Sequence, residues 1–392
     1  MEYLRYLIHS ELLMQFFGLW PLKSDTESRF KIVADFFRIT LGFCFVLFVI
    51  TIGLGFMNVQ SEKEFKINYF IYVFYYFFVC WKIVICQTKT MRKLIGDIYR
   101  ISEKILSEED VHIKNMFAKS TKYNLQLFAY IFIIAHITQA LFTVTALRDF
   151  LDWEVRERYL EQNQTLPFKI ISWYPFNTNK YYEVLYFGQC FLSAVSNIYN
   201  LACESLFIST INFVTLRVKI LKYNLVHLGD YERGNLRPED VIKPLVVEHQ
   251  NIIRYVGDIN YLMRWLFFGE FIGKSYHITV ALFFISEVVQ SGRGIINLEF
   301  VFALSCAILI VSLTFCQYYC VNDITYEASS IDSAVYESNW YEQQIGTQQT
   351  VLTIMIRSQK PLELYVGNLD TVSITTLLKV LKAGYTYILL TR

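Results

Sequence analysis

The sequence contains little charge. Only 18% of its 392 residues are Asp, Glu, Lys or Arg, whereas an average soluble domain has about 25%. The net charge is +1. This excludes the basic surplus with which nucleic-acid-binding proteins displace counterions, so we expect no nucleic-acid partner. Apolar residues make up 54% of the chain and the mean hydropathy is +0.33. This composition indicates a protein in contact with membrane lipid.

Several chemical motifs are also missing. All six prolines lie outside the apolar runs, and the last run has no NPxxY element. The predicted helices are therefore unkinked, unlike those of G-protein-coupled receptors. The six histidines form no HExxH and no close set with Asp and Ser, so we predict no enzyme and no cofactor. The eight cysteines all lie in or beside apolar runs, which predicts neither a disulfide framework nor a metal site.

Long apolar runs predict the fold. A helix needs about 20 mostly apolar residues to cross roughly 30 Å of hydrocarbon. Five runs of 15 to 25 residues lack charge, and two weaker ones contain Glu270 and Lys274 or Lys379 and Lys382. The second run qualifies as a span if Lys82 snorkels towards the membrane surface. We predict an all-α membrane protein with seven transmembrane helices at about 35–58, 66–88, 123–148, 181–213, 265–290, 299–321 and 370–392.

The distribution of Lys and Arg predicts the orientation. If the N-terminus is cytosolic, the inside connections hold 22 of these residues and the outside connections hold seven, as the positive-inside rule requires. The C-terminus is then extracellular. The sequon at Asn163 falls in a loop assigned to the outside, which makes Asn163 the candidate glycosylation site. Residues 1–34 are predicted to be a cytosolic segment with an amphipathic interfacial helix that ends near Gly18 and Pro21.

The fifth span carries a charged small-residue motif. Gly269 and Gly273 form a GxxxG pair, and Glu270 and Lys274 are four residues apart on one face. This pattern predicts a close helix contact with an intrahelical ion pair. A role in gating is the alternative.

Polar residues in the outer half of the fourth span predict a ligand cavity. Gln189, Ser193, Ser196, Asn197 and Asn200 form a stripe that could face the outer end of the third span and the aromatic run at 69–78. Such walls suit a small, mostly apolar ligand, although the same residues could simply hydrogen-bond helices to one another. The candidate ligand-binding residues are Tyr72, Phe74, Tyr76, Gln139, Phe142, Thr143, Ser193, Asn197 and Tyr276.

The last span has the character of a pore lining. Lys379 and Lys382 share one face and lie roughly 12–16 Å along the helix from Thr371. Lysine at that depth is costly against lipid and tolerable against water. We predict that Lys379, Lys382 and Thr386 face a conduit, with Tyr387 and Leu390 as gate candidates. The alternative is that the two lysines pair with Glu270.

Residues 321–369 are predicted to form a cytoplasmic helical region. An apolar stripe begins at Tyr336 and Trp340 and continues through Ile345, Leu352, Met355 and Ile356. A helix with such a stripe buries it against protein. We therefore expect packing between subunits here, with Tyr336 and Trp340 as anchor residues.

Three C-terminal motifs resemble the signature of insect odorant receptors, and they read SAVYESNWYE (333–342), IMIRSQKPLELYVGNL (354–369) and LLKVLKAGYTYILL (377–390). QFFGLWPL (15–22) resembles the N-terminal element of that family. The last span lacks the TYxxxxxQF pattern of gustatory receptors, because Thr386-Tyr387 is followed by ILLTR. The resemblance covers the whole chain.

The resemblance implies a subunit of a tetrameric, odorant-gated, nonselective cation channel in the plasma membrane of olfactory sensory neurons. A tuning subunit of this family binds a small volatile among the outer halves of helices two to six. It assembles with a common co-receptor, and both contact membrane lipid. The connection between spans four and five has about 50 residues and lacks the co-receptor's long insertion, so the chain resembles a tuning subunit. The alternatives are a seven-helix receptor that signals through a cytosolic partner and a gustatory receptor channel.

Overall fold

The fold is almost entirely helical. The computed structural model describes residues 6–17, 19–20, 28–58, 63–162, 164–230, 238–290 and 297–391. The helices are α1 (Ile8–Phe16), α2 (Ser28–Asn58), α3 (Lys63–Gln87), α4 (Lys89–Ser107), α5 (Val111–Leu151), α6 (Trp153–Glu161), α7 (Tyr182–Val226), α8 (Pro238–Gln290), α9 (Leu298–Ser329), α10 (Ile331–Glu337), α11 (Ile345–Ser358) and α12 (Ile374–Thr391). Two short strands, β1 (Tyr365–Val366) and β2 (Asp370–Thr371), pair antiparallel before α12.

The seven predicted spans fall on α2, α3, α5, α7, α8, α9 and α12, so the prediction of an all-α membrane protein is confirmed. Within the described residues, α2, α3, α5, α7 and α9 contain windows long and apolar enough to cross a membrane. The spans on α8 and α12 are the two that charged residues interrupt. Helix α8 has 53 residues and begins well before the predicted span at 265. Its additional turns pack against α4 and α11, so protein contacts stabilise them.

Helix α7 is the centre of the bundle. Every residue from 201 to 218 is buried, and α7 packs against α3, α5, α8 and α9. The apolar sequence that predicts contact with lipid is therefore covered by other helices. Because a helix buried on all sides has no face that must be polar or apolar, its periodicity carries little information about its neighbours.

The N-terminal helix α1 packs against protein. The Ser10 Oγ lies 2.8 Å from the Ser205 Oγ on α7, and the Tyr99 hydroxyl donates to Glu11 at 2.7 Å. Tyr6 and Leu7, just before the helix, are buried. The buried side of α1 therefore meets α7, whereas Leu12 is exposed, and contact of this helix with the membrane interface stays a prediction. The helix ends at Phe16, and the predicted end residues Gly18 and Pro21 lie outside the described residues.

The region at 321–369, predicted to be cytoplasmic, is built from several short elements. Helix α9 continues to Ser329, and α10, a 3₁₀ turn at Trp340–Glu342 and α11 follow. Helix α11 buries Val351 and Ile354. The predicted single helix is interrupted, because the stripe from Tyr336 to Ile356 is divided among α10, the 3₁₀ turn and α11. Burial of the stripe between subunits stays a prediction, and several of its members are exposed in the single subunit. They are Tyr336, Ile345, Leu352 and Ile356.

A short hairpin connects this region to α12. Gly367 lies in its turn with a φ of 56°, a conformation that glycine adopts without the steric cost a Cβ would bring. Its amide donates to the Arg264 carbonyl at 2.9 Å, and the Arg264 Nε donates to the Gly367 carbonyl at 2.5 Å. These bonds attach the start of α12 to the middle of α8.

We expect Gly367→Ala to loosen this attachment. A Cβ at Gly367 would lie 3.1 Å from the Phe268 side chain, and a left-handed non-glycine residue costs about 1–2 kcal/mol. The variant should lower the free energy of unfolding by that amount or slightly more, measured by thermal unfolding of the purified protein. Gly346→Ala is the matched control, because a Cβ there would meet open space. Equal stability of the two variants would contradict this account of the turn.

Candidate functional site

A cavity of about 200 Å³ lies among α3, α5, α7, α8 and α9. Its walls are mostly aromatic and aliphatic, as in pockets for small apolar ligands. The apolar walls include Ile71, Tyr72, Phe74, Tyr75, Tyr76, Phe78, Phe142, Phe302, Leu309, Ile310 and Leu313. If the C-terminus is extracellular, this position is in the outer half of the bundle.

The structure brings together most of the predicted ligand-binding residues. The cavity wall includes Tyr72, Phe74, Tyr76, Gln139, Phe142, Ser193 and Asn197. The other two have different surroundings in the described structure. The Thr143 hydroxyl donates to the Gln139 carbonyl at 3.0 Å, and the Tyr276 ring packs edge-on against Phe70. Neither is among the residues that line the cavity.

The predicted polar stripe on α7 divides between two roles. Ser193, Asn197 and Asn200 line the cavity. Gln189 instead donates to the Ser172 hydroxyl at 3.1 Å and so holds the loop between α6 and α7. Ser196 is fully buried in the helix packing. The two interpretations of the stripe, a cavity wall and hydrogen bonds between helices, coincide in Asn197, which lines the cavity and also donates to the Ala135 carbonyl on α5 at 3.3 Å.

One end of the cavity is a network of buried charges. The Lys82 Nζ lies 2.5 Å from Glu204 and 2.6 Å from Glu270, and it also donates to Asn200 at 2.9 Å. The Lys274 Nζ lies 3.0 Å from Glu270 and 2.6 Å from the Gln317 side-chain oxygen. Gln317 in turn donates to Glu204. The network joins α3, α7, α8 and α9 and contains Lys82, Glu204, Glu270, Lys274, Asn200 and Gln317.

The charges of this network balance. Two lysines face two glutamates, so the cluster has no net charge when all four are ionised. A lone charge at this depth would cost several kcal/mol, whereas a paired and hydrogen-bonded one is tolerated. The prediction that Lys82 snorkels is wrong, because its side chain is 5% exposed and pairs inside the bundle.

The GxxxG motif makes the predicted close contact, but with aromatic rings. A Cβ at Gly273 would lie 2.7 Å from the Phe74 ring, and one at Gly269 would overlap the Phe78 ring. The Glu270–Lys274 ion pair on the same helix is also present. The two glycines therefore let α8 approach α3 at the cavity wall.

Three of the five pore and gate candidates have side chains that the structure describes, and all three are exposed in the single subunit. Lys379, Lys382 and Thr386 are exposed along α12. Lys379 bonds to Asp370, and the alternative partner Glu270 is occupied by Lys82 and Lys274. The side chains of the gate candidates Tyr387 and Leu390 lie outside the described residues, as does Asn163.

Sequence reasoning missed the charged network as a unit. Lys82 was visible as an isolated charge within an apolar run, and Glu204 directly follows the run from 184 to 203. One signal was available, because a buried lysine at membrane depth requires an acidic partner on another helix. Among the described residues, no group of three His, Cys, Asp or Glu side chains could hold a metal ion.

The comparisons with known sequences agree with one another. The profile described as 7tm Odorant receptor matches residues 82–385. The chain is similar to Odorant receptor 10 of Aedes albopictus, with 28% identity over 54% of this chain and 55% of the relative. It is also similar to Odorant receptor 30a of Drosophila melanogaster, with 24% identity over 60% of each. The alignments span little more than half the length of these curated relatives.

Comparison with solved structures supports the same architecture over nearly the whole chain. The structure is similar to that of the insect olfactory receptor OR5 from Machilis hrabei in complex with eugenol, with a TM-score of 0.76. That match has 16% identity and covers 98% of this chain and 97% of the other. The structure of the same receptor described without eugenol gives a TM-score of 0.77. At these identities the likeness establishes the fold.

Proposed function

Because the chain belongs to the 7tm odorant receptor family, we propose that it is the ligand-binding subunit of an odorant-gated nonselective cation channel. In this proposal a small volatile binds in the cavity among α3, α5, α7, α8 and α9. The channel is a heterotetramer with a co-receptor in the plasma membrane of olfactory sensory neurons. The N-terminus is cytosolic and the C-terminus extracellular, as the distribution of Lys and Arg predicts.

The cavity is the observation that carries this proposal. Its walls bury aromatic and aliphatic side chains against a space of about 200 Å³, which suits a compact, mostly apolar ligand. A ligand that binds the open state 100-fold more tightly than the closed state shifts the equilibrium by about 2.7 kcal/mol. That bias is sufficient to open a gate whose two states differ by a few kcal/mol.

The packing of the helices supplies a route from the cavity to the proposed pore. Helices α8 and α9 contribute walls to the cavity, and both pack against α12. A ligand that separates α8 or α9 from α3 therefore moves helices on which α12 rests. The hairpin bonds between Arg264 and Gly367 transmit the same movement to the start of α12.

The exposed side of the cytoplasmic region supports assembly with other subunits. Ile345, Ile356 and Tyr336 are each at least two-thirds exposed, although they are large apolar or aromatic residues. An exposed apolar surface on an otherwise packed region indicates an interface. We assign this surface to contacts with the co-receptor, whereas the anchor candidate Trp340 is half-buried and packs against the subunit's own core.

Ionic current tests the proposal. The chain should be expressed with a co-receptor in cells whose G-protein signalling is blocked, and an odorant panel should be applied during patch-clamp recording. Odorant-evoked cation currents that survive the blockade support the channel. Responses that require a G protein would support the rival receptor, which signals through a cytosolic partner. The co-receptor expressed alone is the control for currents that do not depend on this chain.

Replacing Lys382 should increase cation conductance. This side chain is exposed on α12, and a positive charge beside a conduit repels permeating cations by roughly 1 kcal/mol at 4 Å in water. We expect Lys382→Gln to raise the single-channel cation conductance about two-fold at low ionic strength, where screening is weak. Lys360→Gln, in the cytoplasmic region, is the matched control. An unchanged conductance would remove Lys382 from the conduit.

A further inference from the structure

The charged end of the cavity carries an inference about the ligand, which rests on the function proposed above. We propose that the cavity selects uncharged ligands with a hydrogen-bond acceptor oxygen, such as ketones and esters, and that Lys274 donates to that oxygen. The apolar body of the ligand then lies among the aromatic walls. The oxygen of the ligand is thus bound by a polar group in a wall that is mostly apolar.

Lys274 has an unused donor at the cavity. A lysine ammonium group carries three N–H donors, and the structure gives this one two hydrogen-bond acceptors, Glu270 and Gln317. Lys82 is different, because oxygens of three residues, Asn200, Glu204 and Glu270, surround its ammonium group within 2.9 Å. The Lys274 side chain lines the cavity and is 15% exposed, whereas that of Lys82 is 5% exposed. The third donor of Lys274 is therefore available to a ligand.

The charge balance of the network restricts the ligand to neutral molecules. Lys82 and Lys274 already match Glu204 and Glu270. A carboxylate or an ammonium ligand would add one unbalanced charge to a buried site, and that charge would lose its hydration without gaining a new counterion. A carbonyl oxygen accepts a charge-assisted hydrogen bond from Lys274 and leaves the balance unchanged.

A second unused donor lies in the same cavity wall. The Gln139 Nε2 is buried without a hydrogen-bond partner among the described residues, and its side chain lines the cavity. An unsatisfied buried amide is costly, and the terminal torsion of glutamine rotates easily. A ligand oxygen within reach would supply the missing acceptor. This observation is independent of Lys274 and favours the same ligand chemistry.

Matched ligand pairs test the proposal on the unchanged protein. Each pair contains a methyl ketone and the alkene in which a methylene group replaces the oxygen, for example 2-heptanone and 2-methyl-1-heptene. Across a series of chain lengths, recorded as current from the complex with the co-receptor, we expect each ketone to act at concentrations at least ten-fold lower than its alkene. The carboxylate of equal length should give no current. Equal potency within the pairs would overturn the proposal and leave the proposed function intact. Absence of current from the ketones, in a complex that conducts in response to another odorant of the panel, would also overturn the proposal. Absence of current from the whole panel, with the complex present at the cell surface, would instead count against the proposed function itself.

Variants assign the effect to Lys274. The double variant Glu270→Gln/Lys274→Met removes one charge of each sign, so it keeps the network balanced, and it should reduce the ketone-to-alkene ratio to about two or less. Phe302→Leu is the control, because it changes the shape of the wall and should shift both members of a pair together. A ratio that stays at ten or more in the double variant would overturn the role of Lys274. If the double variant does not reach the surface, Lys274→Arg takes its place, and the displaced donors of arginine should lower the ratio at least three-fold.

Discussion

Lys82→Met is expected to destabilise the protein by about 3–5 kcal/mol, the usual cost of removing one partner from a buried ion pair. The substitution leaves Glu204 and Glu270, both almost fully buried, with Lys274 as their only cation in the network. Methionine fills a similar volume, so lost packing contributes little. The measurement is thermal unfolding of the detergent-purified protein, together with the fraction of the chain that reaches the cell surface.

Two further variants make this expectation specific. Lys93→Met removes a lysine whose side chain is 58% exposed and pairs with Asp258 at 3.1 Å, and an exposed pair contributes only about 0–1 kcal/mol. Lys82→Met/Glu204→Gln restores the charge balance, so we expect it to recover part of the lost stability. If Lys82→Met and Lys93→Met unfold at the same temperature, the buried network does not stabilise the bundle.

Gly269→Ala is expected to cost about 1–3 kcal/mol through overpacking and to weaken the response to ligand. The new Cβ would overlap the Phe78 ring, which is buried and stacks on Trp81 with ring centroids 5.8 Å apart. Phe78 therefore has little room to move away. Because Phe78 also lines the cavity, any movement of its ring changes the cavity wall.

The same helix provides the control. A Cβ at Gly257 would meet open space, and alanine is favoured over glycine within a helix by roughly 0.5–1 kcal/mol. Gly257→Ala should therefore be neutral or stabilising. Phe78→Leu in the Gly269→Ala background should restore part of the stability by relieving the overlap. If Gly269→Ala behaves like Gly257→Ala, the close approach of α8 to α3 is not needed.

Positions of the helices could be predicted because the membrane imposes a simple length requirement. The run 39–57 has no charged residue and is long enough to cross a bilayer. Few other structures require an uncharged run of that length. The predicted ends of the helices were less accurate. Helix α8 begins at Pro238, whereas the predicted span begins at 265, and α9 ends at Ser329, whereas the predicted span ends at 321. Their polar extensions are stabilised by neighbouring helices, and a hydropathy pattern contains no information about those neighbours.

The candidate cavity could be predicted where residue type alone was informative. The cluster of aromatic residues on α3, and the amides and hydroxyls within the apolar spans on α5 and α7, predicted a cavity wall. Seven of the nine candidate residues line the cavity. Thr143 and Tyr276 do not, because the rotation of each helix about its own axis depends on packing. Helix α1 shows the same effect, since an amphipathic face can bury itself against lipid or protein and the sequence does not distinguish them.

The sequence by itself determined the all-α membrane class, the approximate spans and the distribution of Lys and Arg that predicts orientation. These properties depend on the free energy of transferring each segment into lipid, which is nearly additive along the chain. Only the tertiary structure decided that Lys82 meets Glu204 and Glu270, that Lys274 keeps one free donor at a cavity, and that Gly269 lies against Phe78. Those contacts join residues far apart in the chain, and each depends on how two or more helices are placed and rotated against one another.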